Sequence, residues 1–120
     1  MIVLPWPNKT LSPNARPSWR ALWKAKRSAQ LESWALAKVF KNSQEWNNCI
    51  GNWDGQKIPV HIFVYPPSLA RRDEDNLLAS LKAALDGVAK GLGVDDNRFS
   101  LSHTWCELDR PKGRIELRIG

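Results

Sequence analysis

Two cysteines, one methionine and one tyrosine are all that the 120 residues contain of those types, and Cys49 and Cys106 stand in no CxxC or histidine-flanked spacing. Neither a disulfide framework nor a zinc site is indicated, and reduced thiols of a cytosol fit best. No apolar run approaches the roughly 20 residues that cross a bilayer. The opening Met1-Ile2-Val3-Leu4-Pro5 also lacks the basic n-region of a signal peptide. The expectation is a soluble, cytoplasmic protein with no membrane partner. A glycine-rich phosphate loop is missing, as are Ser-His-Asp and Cys-His patterns, so nucleotide cradling and triad chemistry are not indicated. No small-molecule cofactor is expected.

Acidic side chains are nearly absent from residues 1–41, which hold eight basic residues against the single Glu32. The remaining 79 residues hold ten basic and eleven acidic ones, so the net charge of +6 is concentrated in the first third. A polyanionic partner suits such a distribution. Lys9, Arg16, Arg20, Lys24 and Arg27 are the candidate backbone contacts there, with Arg71 and Arg72 further on.

What is present is globular: 42% hydrophobic residues and seven tryptophans are enough for one core in a single domain spanning 1–120. Ile2 to Leu4 predicts a short strand, followed by an extended loop fixed by Pro5, Pro7 and Pro13. From Ser18 to about Lys41 no Gly or Pro interrupts an approximate helical stripe, and its tryptophans are expected in the core. Asn42 to Lys57 reads as a loop. Ile58 to Tyr65 predicts a strand covered on both sides, and Asp73 to about Lys90 a second helix with Leu77, Leu78, Leu81, Leu85 and Val88 inward. Asn97 to Glu107 and Arg114 to Ile119 alternate as strands, with a hairpin across Asp109 to Gly113. The expected fold is α+β, a small two-layer sandwich of two helices on a mixed sheet in the order β-α-β-α-β-β. His61 and His103, with no partner at ligand spacing, are read as packing residues.

The carboxylates have two readings. Asp73 is a good helix N-cap, Glu74 and Asp75 suit a first helical turn, and Asp95-Asp96-Asn97 makes an ordinary turn. Alternatively, Asp73 and Asp75 converge with Asp96 or Asp95 on Mg²⁺, a hard ion that takes oxygen ligands. An unbroken helix would hold the two groups about 27 Å apart at 1.5 Å per residue. Convergence then needs the chain to return past Gly91 to Val94, or one end to meet a second copy. Lys82 and Asp86 share the polar helix face, with Lys82 a candidate partner of a phosphate.

The segment Arg71-Arg72-Asp73-Glu74-Asp75-Asn76-Leu77, the later Lys82-Ala83-Ala84-Leu85-Asp86 and Val94-Asp95-Asp96 resemble the central motif of the RusA family of Holliday junction resolvases. Leu4-Pro5-Trp6-Pro7 is similar to that family's proline-rich opening. The sequence departs from the pattern at two places. Ala79 stands where the family commonly has its lysine, so that Lys82 aligns only across three inserted residues, and Asn8-Lys9-Thr10 replaces the usual continuation of the opening. The resemblance implies a homodimeric, Mg²⁺-dependent endonuclease making paired nicks in four-way DNA junctions, with Asp73, Asp75 and Asp96 at the catalytic acidic positions. A second reading, a DNA-binding protein without catalysis, rests on the basic first third alone.

Overall fold

The computed structural model describes residues 1–70 and 72–120. Its elements are β1 (Ile2–Pro5), α1 (Trp19–Phe40), α2 (Gln44–Gly51), β2 (Ile58–Tyr65), α3 (Glu74–Ser80), α4 (Lys82–Leu92), β3 (Phe99–Trp105) and β4 (Arg114–Ile119). Short 3₁₀ turns lie at Lys9–Leu11 and Asp96–Arg98. The class is α+β with a mixed four-stranded sheet in the order β1-β4-β2-β3, in which only β2 and β3 run parallel. One face of the sheet is buried, with Ile2 and Leu4, Ile115, Leu117 and Ile119, and Ile58, Val60, Ile62 and Val64 all pointing into the core.

The expected element order needs correcting at four points, each with a physical cause. Residues 42–57 contain helix α2: the Ser43 hydroxyl accepts from the Trp46 N–H at 3.2 Å, and Trp46 packs into the core beside Phe40. Burial of that indole outweighs the poor helix propensity of the neighbouring asparagines. The single second helix is two. The Ser80 hydroxyl donates to the Leu77 carbonyl at 2.6 Å, and the Leu81 N–H turns to Leu78 at 3.2 Å. This tightened turn ends α3, and α4 restarts at Lys82 while Leu81 stays buried.

Strands β3 and β4 do not form a hairpin. They lie on opposite sides of β2, and Asp109–Gly113 closes a turn inside a connection that crosses from one side to the other. The strand compositions explain the choice, because β4 carries three inward aliphatics fit for a central strand, whereas Ser100, Leu101, Ser102 and Thr104 of β3 are exposed as an edge strand allows. Strand β2 is covered on one side only. On its other face His61, Phe63 and Tyr65 are half-exposed, with Arg118 and Arg114 lying over the Phe63 and Tyr65 rings.

The helices meet through α1 and α4. Their contact is built from small residues: Ser33 and Ala37 on one side, Gly87 and Gly91 on the other, all buried. A Cβ at Gly91 would sit 2.6 Å from the Ala37 Cβ and 2.8 Å from the Trp34 carbonyl, and one at Gly87 would overlap the Ser33 hydroxyl and the Gln30 carbonyl. Gly91 is thus a packing residue inside α4, while Gly93 at φ 77° makes the exit. Gly87→Ala and Gly91→Ala are each expected to cost about 1–3 kcal/mol through overpacking. Gly51→Ala, where the added methyl meets open space, is expected to be neutral or slightly stabilising. Urea unfolding of the three variants is the check, and wild-type stability in Gly87→Ala would contradict the close approach.

Candidate metal and nucleic-acid site

Asp73 caps α3 from an extended backbone conformation, its carboxylate accepting from the Asn76 N–H at 3.2 Å. The structural reading of this residue therefore holds, whatever else it does. Glu74 turns toward β3, where the Nε2 of His103 meets its Oε1 and the Trp105 indole donates to the same oxygen at 3.3 Å. These bonds, that from His103 first, hold the Glu74 carboxyl below its ordinary range. Asp73 and Asp75 stay exposed on either side, and with Arg72 and Glu74 they line an open depression.

Arg72 is held in place. Its guanidinium donates to the Ser68 and Ala70 carbonyls at 2.9 and 2.8 Å and to the Ser68 hydroxyl at 3.0 Å, and it lies 5.2 Å from the Trp6 ring centre. Trp6, Asn8 and Lys9 of the opening loop join Arg72, Asp73 and Asn76 in one groove. The proline-rich opening and the acidic motif, some 65 residues apart in sequence, thus share a surface.

A second carboxylate group lies along α4. Asp86 and Asp96 lie beside each other and act on each other's carboxyl in opposite directions. Burial, then Asp96, raises the Asp86 carboxyl above its usual range against the pull of Lys82 and Lys90. The bonds from Asp86 and Asp95 hold Asp96 below it. Asp95 caps the following 3₁₀ turn, accepting from Asn97 at 3.5 Å. The chain does return after Gly93, but it comes alongside Asp86 rather than the start of α3. Among the described residues no three His, Cys, Asp or Glu side chains are gathered to hold one ion. Asp73 and Asp75 form one group and Asp96, Asp95, Asp86 and Lys82 another. As two exposed oxygen donors, Asp73 and Asp75 fit Mg²⁺ in the way that ion is often bound, by one or two carboxylates with phosphate oxygens completing its shell.

Lys9, Arg16, Arg20, Lys24 and Arg27 are all exposed, Arg72 is half-buried, and Arg71 lies outside the described residues. The expectation that the α1 tryptophans are core residues is overturned. Trp19, Trp23 and Trp34 are 74%, 58% and 42% exposed. Sequence reasoning also missed the bonds from His103 and Trp105 to Glu74; their common face on β3 was the available signal. His61, half-exposed, bonds Ser102 and Thr104 across the parallel pair. Among the described residues no helix is long and apolar enough to cross a membrane.

No family model matches the chain. A Xylella fastidiosa (strain Temecula1 / ATCC 700964) protein, described as an uncharacterized protein, is 37% identical over 119 residues, covering 98% of this chain and 74% of its own length.

Asp86→Asn keeps a donor for Asp96 and removes the carboxyl that the fold holds above its usual range. The sign follows from that shift: a raised carboxyl is stabilising while protonated and loses this contribution as pH rises through its folded value. The variant is expected to melt higher than wild type at pH 8 and to match it near pH 3. Thermal unfolding at both values tests this, and an equal difference at the two would contradict a raised Asp86 carboxyl.

Proposed function

We propose that this chain, which belongs to one family with the Xylella fastidiosa protein, is a Mg²⁺-dependent endonuclease that cuts branched DNA, four-way junctions above all. The observation that carries the proposal is the common groove of Trp6, Asn8 and Lys9 with Arg72, Asp73 and Asn76, because it joins the two segments on which the resemblance to the RusA resolvases rests. Asp73 and Asp75 would hold the metal, which when bound supplies an activated water and neutralises charge on the phosphoryl oxygens. Lys9 and Arg72 orient the phosphate backbone beside them, Arg72 with little freedom to lose because its guanidinium is already bonded to the Ser68–Ala70 turn.

Asp96, with Asp95 beside it and Lys82 near by, is the third carboxylate of the proposal. A two-fold homodimer would offer it a route to the Asp73 and Asp75 of a second copy. It would also present two equivalent sites to the two strands that a resolving enzyme must cut.

The non-catalytic reading draws on a specific observation too, since Asp73 caps a helix and Asp95 caps a 3₁₀ turn. Asp73→Asn separates the two, for asparagine caps as well as aspartate but brings no charge to a metal. Nicking of a synthetic four-way junction in Mg²⁺ is expected to be abolished by Asp75→Asn and by Asp73→Asn, at unchanged melting temperature and with junction binding retained or tightened. Asp96→Asn is expected to behave alike and Asp95→Asn more mildly. A wild-type protein that binds the junction and leaves it intact in Mg²⁺ would establish the non-catalytic reading instead.

A further inference from the structure

An exposed flank of α1, beside the strip it packs on α4, combines two features that neither the fold nor the acidic groove uses. Trp19, Trp23 and Trp34, with exposures between 42% and 74%, stand at spacings of four and eleven residues, which places all three within an arc of about 60°. Arg20, Lys24, Arg27 and Lys38 are interleaved with them and exposed. The Arg27 guanidinium lies 5.8 Å from the Trp23 ring centre and the Lys38 ammonium 5.6 Å from that of Trp34. The only acidic residue of the helix, Glu32, is turned about 160° from Trp34 around its axis at 100° per residue.

From this placement we infer that the tryptophan-bearing flank of α1 is a binding surface for unpaired DNA, whose bases stack on the three indoles while the neighbouring cations take the phosphates. Charge decides between occupants. A two-fold contact sets the same patch against itself, so a second copy would bring four cations onto four with no acidic side chain in the stripe to offset them. A single strand supplies the opposite charge and, in each base, a flat apolar surface that stacks on an aromatic ring without regard to sequence. The inference rests on the proposed function only for the polymer's identity, and it deepens it: strands exposed at a branch point are the part of the substrate this face would recognise.

The experiment is fluorescence anisotropy of labelled DNA in EDTA, so that cleavage does not enter. The probes are a thymidine homopolymer of about sixteen nucleotides and a duplex of equal length. The combined Trp19→Ala, Trp23→Ala and Trp34→Ala variant is expected to bind the single strand at least about tenfold more weakly, with duplex affinity within about twofold of wild type. Replacing the same residues with Phe retains rings to stack on and is expected to restore most of the loss. The combined Arg20→Ala, Lys24→Ala and Arg27→Ala variant is expected to weaken both probes and to flatten their salt dependence.

The inference is overturned if the alanine variant, folded by its melting curve, binds the single strand as wild type does. It is overturned equally if that variant loses binding only to phosphatidylserine vesicles, or if sedimentation shows that its main defect is loss of a wild-type dimer. Failure here beside Mg²⁺-dependent nicking of a junction removes the α1 surface and leaves the nuclease. Tryptophan-dependent single-strand binding without nicking does the reverse.

Discussion

The distance between α1 and α4 is set by the absence of side chains, and much of the molecule follows from it. Gly87 and Gly91 let the α4 backbone approach the Gln30 and Trp34 carbonyls and the small side chains of Ser33 and Ala37. Protein interiors are packed too densely to absorb an extra methyl without displacement. A contact this close has no room for indoles, so α1 buries a narrow strip of small residues that broadens only at Phe40. Trp34, whose backbone lies against Gly91, is therefore outside for a steric reason, and its exposure needs no looseness in the core. In turn α4, held under α1, buries both glycines together with Ala83, Leu85, Val88, Ala89 and Leu92 and leaves Lys82, Asp86 and Lys90 toward its open side.

The carboxylates show how local duties and chemistry overlap. Asp73 satisfies an N–H of α3 that no helical partner can reach, and Asp95 does the same for a 3₁₀ turn. Glu74 is committed to β3, which leaves its two neighbours as the exposed oxygens of the motif. Asp86, raised by its burial and by Asp96, sits beside an Asp96 that is lowered, with Lys82 alongside. Two groups of acid thus lie on one surface system without merging within a single chain.

How much of this the sequence disclosed follows from where the deciding forces act. Patterns that are local and periodic were legible: the buried alternation of β4, the leucine stripe that begins at Leu77 and the Asp73 cap. The break at Leu81 was not, because a Ser80 hydroxyl bond leaves the hydrophobic period intact. Helix α2 was hidden by asparagines whose propensity is overridden by the burial of Trp46. The exposed tryptophans were misassigned because hydrophobicity alone does not reveal where the neighbouring helix lies, or that at Trp34 it comes too close to admit an indole. At the site, the resemblance implied Asp73, Asp75 and Asp96, whereas placing Asp96 beside Asp86 required knowing how far the chain doubles back.

The strand order also bears on how the chain acquires its fold as it is made. β1 and β2 share no hydrogen bonds; each pairs with β4, which lies between them and is the last strand in the sequence. Before residues 114–119 are available, the only pairing open to the other described strands is β2 with β3, joined through α3 and α4. The N-terminal strand, with the opening loop tethered to it, has no place in the sheet until Arg114–Ile119 has emerged. The groove between that loop and the acidic motif therefore depends on β4, which anchors the opening strand beside the rest of the sheet.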